Sequence, residues 1–411
     1  MIAHQDREVL RRLASRVREV SELPEMEERR RLWYEHNALR SQKPMILCFP
    51  EGAWCELITG EDLACEGEWA RSHEWQLRSK LYWWDHIRDD HVLEPLYEVA
   101  WHVDEGDLGV QIPKTHGEHR GSYIWEPPIQ EIERDLPKLH FRQPRVDRTK
   151  SLAEKEALEG IFGDLLEVRH EGPYWWTAGL TWRAIELIGL QPLMIAMIDD
   201  PEGLHRLMGW LRDEHLAMMR WFEAEGLLTV NNRHHYTGSG GVGYTTELPA
   251  RDYRGHARLK DRWGFAESQE TVGCSPEMFA EFVLPYQIPL LEQFGLNCYG
   301  CCEPVHQRWK YIREVPRLRR VSVSPWCDQE FMAEALGRDV IFSRKPNPVL
   351  VCTNFDEDLI RRDLRHTVET ASGCNLEIIL KDTHTVQNEP WRITRWVEIA
   401  LEEAARTLAV R

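Results

Sequence analysis

The residues best suited to chemistry lie close together at 298–303, where the sequence reads Cys-Tyr-Gly-Cys-Cys-Glu. Cys301 and Glu303 are two residues apart, so in an extended segment they lie on one face together with Tyr299. A thiolate and a carboxylate are both zinc ligands, and His384 is a candidate for a third. Three protein ligands with one open position are typical of catalytic zinc, which activates a thiol or polarises an oxygen.

The same cysteines allow two other interpretations. Cysteine is often a small buried hydrophobic residue, so Cys298, Cys301 and Cys302 could simply fill the core. Cys298 and Cys301 have C-x-x-C spacing, but no second pair lies nearby, which argues against a structural zinc ribbon. The first residues show no apolar signal-peptide region, and the ten cysteines are therefore expected to be thiols or metal ligands rather than disulfides.

Composition narrows the class of partner. The chain has 411 residues with 51 Lys and Arg against 68 Asp and Glu, a formal net charge of −17 that argues against a nucleic-acid partner. No apolar run approaches the roughly 18 residues of a membrane span, so we expect a soluble, cytoplasmic protein that acts on a small molecule. Most of the 18 tryptophans are expected to fill a large core. Some of them could wall a pocket for a flat or methylated organic ligand.

From about residue 160 onward, predicted strands and helices alternate, which predicts a parallel sheet. No glycine-rich nucleotide-binding turn follows the first strand, so the pattern favours an α/β fold of the (β/α)8 TIM-barrel type over a Rossmann sheet. Residues 1–110 are predicted to be an N-terminal helical extension that packs on the barrel, and residues 111–411 the barrel itself. The glycine-rich segment 238–243 lacks a phosphate-binding fingerprint and is predicted to be a flexible rim.

The active site of such a barrel lies at the carboxyl ends of its strands. Reading the polar residues at the predicted strand ends gives one candidate site, with three roles. The predicted catalytic or orienting acids are Glu267, Asp328 and Asp382. The predicted substrate-binding residues are His170, Asn232, Tyr299, Trp326, Arg344 and Lys345. The predicted metal ligands are Cys301, Glu303 and His384.

Three stretches of the sequence, at 192–232, 267–303 and 376–404, resemble the uroporphyrinogen decarboxylase superfamily. They read "PLMIAMIDDPEGLHRLMGWL…EAEGLLTVNN", "ESQETVGCSPEMFAEFVLPYQIPLLEQFGLNCYGCCE" and "LEIILKDTHTVQNEPWRITRWVEIALEEA". The resemblance covers roughly residues 160–411 and implies a (β/α)8 barrel. The superfamily includes uroporphyrinogen decarboxylases and zinc-dependent methyltransferases of corrinoid systems.

The methyltransferase branch carries His-x-Cys-Gly at the strand end that holds the cysteine cluster, and a second cysteine near the last strand. Here Cys301 matches the family cysteine, and Tyr299 stands where the family has histidine. The last strand ends in Asp382-Thr-His384 where the family has cysteine. The resemblance therefore implies a rearranged zinc site. The decarboxylase branch holds its substrate with an arginine-rich segment that has no counterpart near the start of this predicted barrel.

The resemblance implies a methyltransferase of a corrinoid-dependent system. Such an enzyme moves a methyl group between a small methylated compound, for example a methoxylated one, or a thiol or folate acceptor, and a corrinoid protein. The corrinoid would reside on a separate partner, because the sequence has no D-x-H-x-x-G motif. Two alternatives stay open. One is a metal-free lyase that uses Arg344, Lys345 and His170 on a small anionic substrate, and the other is a non-catalytic ligand-binding barrel.

Overall fold

The computed structural model describes residues 2–117, 123–175 and 177–408. Its strands are β1 Met45–Cys48, β2 Leu96–Ala100, β3 Val103–Asp104, β4 Lys114–His116, β5 Tyr123–Trp125, β6 Arg145–Val146, β7 Glu167–Glu171, β8 Tyr236–Thr237, β9 Gly241–Val242, β10 Trp263–Ala266, β11 Leu296–Tyr299, β12 Leu318–Val323, β13 Ile341–Arg344 and β14 Asn375–Leu380.

The helices lie before, between and after these strands. They are α1 His4–Ser21, α2 Pro24–Asn37, α3 Trp54–Leu57, α4 Glu68–Tyr82, α5 Ile132–Asp135, α6 Arg148–Phe162, α7 Thr181–Ile188, α8 Leu190–Asp199, α9 Pro201–Ala224, α10 Pro276–Phe282, α11 Leu284–Leu291, α12 Trp309–Ile312, α13 Gln329–Leu336, α14 Val349–Cys352, α15 Glu357–Thr370 and α16 Trp391–Leu408. Asp200 caps α9 by accepting a hydrogen bond from the amide of Gly203, with Pro201 in the first turn, as its sequence predicts.

Six strands form one parallel sheet in the order β1-β14-β13-β12-β11-β10, and β2 pairs with β7 in a second parallel sheet. The predicted parallel sheet is confirmed, and the mixed α/β architecture is compatible with a TIM-like fold. All six residues of β14 are buried, as expected of a parallel strand that is covered on both faces. Short antiparallel pairs join β3 to β6, β4 to β5 and β8 to β9.

The two faces of β14 have different roles. Leu376, Ile378 and Leu380 pack into the hydrophobic layer under α15 and α16. Glu377 points to the opposite face, where its carboxylate meets the guanidinium of Arg320 from β12. The inner face of the sheet is therefore polar at its centre, although both faces exclude water.

The structure differs from the predicted elements in two places. The apolar run Leu-Leu-Thr-Val at 227–230, after Gly226, predicts a strand, but these residues lie against Gly172 just after β7 and form no backbone ladder. The amide of Gly172 instead donates to the hydroxyl of Thr229 at 2.7 Å. In addition, β1 lies within residues 1–110 and pairs with β14, with Met45 opposite Glu377. The predicted division at residue 110 therefore does not separate a helical extension from the sheet.

Within the described residues, no single helix is long and apolar enough to cross a membrane. Helices α7 and α8 reach the required length only together, and they are bent by 94° where they meet.

Candidate functional site

The chain turns sharply after β11, at Gly300. Its φ of 89° lies in the left-handed region, which favours glycine and breaks the alternation of an extended strand. Tyr299, the last residue of β11, faces the outer helices, where its hydroxyl donates to Oε1 of Gln287 at 2.7 Å. Cys298 and Cys301 instead share one buried cluster on the inner side. The predicted common face of Tyr299 and Cys301 is therefore wrong, and Tyr299 packs in the core rather than at the site.

The thiol of Cys301 is buried among three polar groups. Its Sγ lies 3.6 Å from Sγ of Cys302, 3.3 Å from the hydroxyl of Ser239 and 3.8 Å from Nζ of Lys381. Hydrogen bonding from Cys302, the charge of Lys381 and the Ser239 hydroxyl lower the pKa of Cys301 against the opposing effect of burial. The same contact with Cys301 raises the pKa of Cys302. Of the two neighbouring thiols, Cys301 therefore ionises first.

Lys381 is the cation of this site. It is 4% exposed, and its Nζ lies 3.6 Å from Oδ1 of Asp382 and 3.9 Å from Oε1 of Glu51. Burial lowers its pKa, but Tyr236, Cys301, Asp382 and Glu51 together raise it above the ordinary value. Lys381 is therefore held as an ammonium next to a sulfur that is easily deprotonated, and each charge stabilises the other.

The glycine-rich segment 238–243 covers this pair. A Cβ on Gly238 would lie 2.7 Å from Cβ of Cys298, and one on Gly241 would lie 2.4 Å from Cζ of Arg320, so larger residues do not fit. The segment is buried throughout. It is thus a packed inner wall that places Ser239 against Cys301, and the predicted flexible rim is wrong.

A group of possible metal ligands adjoins the thiols. Donor atoms of Glu51, Asp382 and His384 all lie within 4.8 Å of one another, and Sγ of Cys302 lies 3.7 Å from Oδ2 of Asp382. Asp382 has a φ of 57°, and its amide donates to Oε2 of Glu51 at 3.0 Å. One imidazole and two carboxylates are a donor set that suits Zn²⁺. A second such group, of Glu98, His234 and His235, lies beside β2.

Glu303 does not join His384 in such a group within the described parts of the chain. Its Oε1 accepts a hydrogen bond from the amide of Ser268 and its Oε2 one from the amide of Cys301, both at 2.8 Å. The side chain is fully buried, and burial raises its pKa. Glu303 therefore fixes the turn that carries Cys301, and the predicted ligand set of Cys301, Glu303 and His384 is not assembled as predicted.

Glu267 follows β10 and is fully buried. Its Oε2 accepts a hydrogen bond from the amide of Gln269 at 2.8 Å, while its Oε1 has no hydrogen-bond partner among the residues that the structure describes. Burial and the neighbouring carboxyl groups of Glu270 and Glu303 raise the pKa of Glu267 well above its ordinary value. A raised pKa favours the protonated form of Glu267, which suits a proton donor.

Arg344 and Lys345 are scaffold cations. Arg344 donates to the carbonyls of Ser324 at 2.9 Å and Lys345 at 2.8 Å. The ammonium of Lys345 donates to Ser343, and burial lowers its pKa to about 7. Both are buried, at 2% and 4% exposure, and these hydrogen bonds hold them against oxygens of the surrounding chain.

The remaining predicted residues lie apart from Cys301. Asp328 caps α13 by accepting a hydrogen bond from the amide of Phe331, and Trp326 is 67% exposed. Asn232 donates to the carbonyl of Leu248 at 2.8 Å, and His170 stacks on Trp101 with ring centroids 3.9 Å apart.

The sequence prediction missed Lys381 and Ser239, which contact Cys301, and Glu51, whose carboxylate lies 3.9 Å from Nζ of Lys381. Lys381 and Glu51 follow β14 and β1 closely, so the rule that selected Asp382 could have found them. Ser239 carries no such signal, because it reaches the site through a buried loop.

No family model matches this sequence, and no curated protein matches it. Among solved structures, the fold is similar to a methyltransferase from Methanosarcina mazei, with a TM-score of 0.51 and 11% sequence identity. The similarity covers 90% of this chain and 97% of that one. At this identity the comparison shows a shared fold over nearly the whole length of both chains.

Proposed function

We propose that this protein is a methyltransferase that moves a methyl group between a small methylated compound, or a thiol or folate acceptor, and a corrinoid carried by a separate protein. The observation that carries the proposal is the buried pair of Cys301 and Lys381, next to a group of zinc-type donors. The structural neighbour that is named a methyltransferase supports the reaction class.

Glu51, Asp382 and His384 are the residues that would hold zinc, in place of the set with Glu303. Their donor atoms are within 4.8 Å of one another, which is close enough to share one ion. When bound, zinc would supply a Lewis acid for the heteroatom that loses or gains the methyl group. Lys381 lies 3.6 Å from Asp382, so it offsets part of the negative charge of the group before an ion binds.

The chain's own residues supply the proton chemistry. Lys381 and Ser239 contact the sulfur of Cys301 and favour its thiolate form, which would offer a negative sulfur beside the metal donors. Glu267 is buried, its pKa is raised, and one of its oxygens has no partner within the described structure. We therefore assign to Glu267 the proton that the heteroatom gains when it loses its methyl group. Burial keeps water away from both groups.

The lyase alternative has less support. It needs Arg344 and Lys345 as anion-binding groups, but both donate their hydrogen bonds to neighbouring backbone and side-chain oxygens of the scaffold. His170 lies against Trp101 instead of beside them.

We also propose that the two parallel sheets belong to one closed (β/α)8 barrel. The carboxylates of Asp90 and Asp89 accept hydrogen bonds from the amides of Ile46 and Cys48 along the open edge of β1, both at 2.8 Å. At the other edge, the amide of Trp263 donates to Asn231 at 2.8 Å. The segment that leads to β2 thus covers the edge of β1, and the segment that follows residues 227–230 covers the edge of β10. Slow hydrogen exchange at these edge amides would agree with closure, and rapid exchange would contradict it.

The test uses free cob(I)alamin as the methyl acceptor and methylcob(III)alamin as the donor in the reverse direction. Zinc-loaded protein is mixed with methyl ethers, methyl thioethers or added thiols, and the cobalamin spectrum reports the transfer. Cys301→Ser and His384→Ala should abolish transfer, and His384→Ala should also lower the zinc content. His306→Ala serves as the control, because His306 contacts Asp328 instead of the thiols. A folded, zinc-containing protein that transfers no methyl group in either direction would overturn the proposal.

A further inference from the structure

A cavity of about 510 Å³ lies between α9, the segment that follows β7 and the segment that follows β10. Sites for small molecules typically enclose roughly 300–1,000 Å³. The apolar part of its described wall is formed by Trp175, Leu180, Trp182, Leu211 and Met218. Tyr174 and Trp182 are 45% and 40% exposed, so the cavity opens to solvent beside them. Flat apolar walls of this kind favour a planar ligand.

Two nitrogen atoms in this wall lack hydrogen-bond partners within the described chain: Nε1 of Trp175 and Nε2 of His215. An indole nitrogen can only donate, so it requires an acceptor. Burial, with the charges of Arg142 and Arg183, lowers the pKa of His215 to about 4, and the neutral ring can donate from Nε2. A ligand that presents acceptor oxygens at this point would satisfy both atoms.

A third unsatisfied group lies behind the same wall. Arg262 is 3% exposed, and its Nε and Nη1 have no partner among the residues described. Its guanidinium lies 5.1 Å from the ring centroid of Trp175, beside a small adjoining cavity that Trp175 and His215 also line. Burial lowers the pKa of Arg262 to about 10, which leaves it charged at neutral pH. This end of the cavity therefore favours negative charge.

Of the other charged residues that line the cavity, Arg142, Arg183, Glu105 and Glu214 form ion pairs, and Oε2 of Glu270 accepts a hydrogen bond from the hydroxyl of Thr181 at 2.6 Å. Arg142 binds Glu214 with two hydrogen bonds, at 2.7 and 3.0 Å, and Arg183 binds Glu186 at 2.7 Å. Aromatic walls also attract quaternary ammonium ions. Such a ligand would leave the Trp175 and His215 nitrogens unpaired and would face Arg262, so the wall disfavours it.

The cavity is connected to the Cys301 site through Tyr174. This residue lines the cavity, and its hydroxyl donates at 2.9 Å to the carbonyl of Gly238. The next residue, Ser239, donates to Cys301. A ligand that moves Tyr174 would therefore act directly on the loop that holds the thiol.

We propose that this cavity binds a flat aromatic carboxylate, with its ring between Trp175 and Trp182 and its carboxylate oxygens accepting hydrogen bonds from Trp175 and His215. This molecule would also be the methyl-bearing substrate of the Cys301 site, and that second assignment rests on the proposed function. The binding itself does not depend on that function.

Calorimetric titration of the full chain with 2-naphthoate tests the proposal, with benzoate as a smaller acid. Three comparison compounds test the flat ring and the negative charge separately. Cyclohexanecarboxylate lacks a flat ring, 2-naphthalenemethanol lacks the negative charge, and benzyltrimethylammonium carries a positive charge instead. We expect 2-naphthoate to bind most tightly. Trp175→Phe and His215→Phe keep a ring but remove a donor, and each should weaken binding about tenfold or more. Trp221→Phe is the matched control, because Trp221 packs on Phe222 and does not line the cavity.

Equal affinity for benzyltrimethylammonium, or unchanged affinity in both Trp175→Phe and His215→Phe, would overturn the proposal. So would the absence of 2-naphthoate binding by a chain whose circular dichroism and thermal unfolding are normal. The two proposals fail separately. If 2-naphthoate binds but 6-methoxy-2-naphthoate transfers no methyl group, the cavity is a carboxylate-binding site but is not the substrate site.

Discussion

Sγ of Cys301 lies 3.8 Å from Nζ of Lys381, although the two residues are 80 positions apart in the chain. They follow β11 and β14, and β12 and β13 lie between those strands in the sheet. Three strand spacings would separate the two strands by about 14 Å in a flat sheet. A direct contact across that separation is expected of a strongly curved sheet, whose strand ends converge on one point.

Replacing Lys381 by methionine should raise the pKa of the Cys301 thiol. The variant removes a buried positive charge that stabilises the thiolate and leaves a side chain of similar length. Less thiolate will then be present at a given pH. The ultraviolet absorbance of the thiolate, taken as the difference between each protein and its Cys301→Ser derivative, measures this over a pH series. Lys80→Met is the control, because that lysine contacts Glu98. An unchanged titration in Lys381→Met would contradict the assigned role.

Removing Glu303 should lower the stability of the fold, whereas removing His384 should lower the zinc content and leave the stability nearly unchanged. Glu303→Ala leaves two buried amide groups unpaired and should lower the free energy of unfolding by about 2–5 kcal/mol. His384 is exposed, so His384→Ala should change that free energy by less than about 0.5 kcal/mol while zinc content falls. Urea unfolding and metal analysis of both variants check this. A loss of zinc from Glu303→Gln with normal folding would restore Glu303 as a ligand.

Glu377 should make stability depend on pH in the acid range. Although burial raises its pKa, Arg320, His36 and Lys345 lower it below the ordinary value of 4.5. A depressed carboxyl pKa gives stability that is present above pH 4.5 and is lost as the pH falls below it. Glu377→Gln leaves Arg320 buried without its countercharge and should cost about 3–5 kcal/mol at neutral pH.

Urea unfolding at several pH values measures the effect of Glu377→Gln, and the gap between wild type and variant should narrow on acidification. Glu314 is exposed and forms an ion pair with Arg313 at 3.6 Å, so Glu314→Gln should change stability by less than about 1 kcal/mol. A gap that does not depend on pH would show that the carboxylate of Glu377 is not the source of the effect.

Gly300→Ala should destabilise the protein and disturb Cys301. The φ of 89° is strained for alanine, and the new Cβ would lie 2.8 Å from Cγ1 of Val305. We expect a loss of about 1–3 kcal/mol in the free energy of unfolding, together with a shifted thiolate titration. Gly160→Ala in α6 is the matched control, because nothing lies within 4 Å of its added Cβ and helical alanine is favoured. Equal effects in the two variants would contradict the importance of the turn.

The periodic features of the protein follow from the order of its residues. Asp200 and Pro201 predicted the start of α9, and the alternation of apolar strands with amphipathic helices predicted a parallel sheet. The rule that parallel strands end at a common edge also selected Cys301, Asp382 and His384. These features depend on residues that are close in the chain, so local spacing is sufficient to predict them.

Which of these residues come into contact depends on how the chain folds. The left-handed turn at Gly300 places Tyr299 and Cys301 on different sides of the sheet. The backbone amides of Ser268 and Cys301 donate hydrogen bonds to the carboxylate of Glu303. Curvature of the sheet brought Lys381 to the thiol, and a buried loop brought Ser239. Each contact joins segments with no fixed spacing in the sequence, and its energy depends on burial and distance, which exist only once the chain has folded.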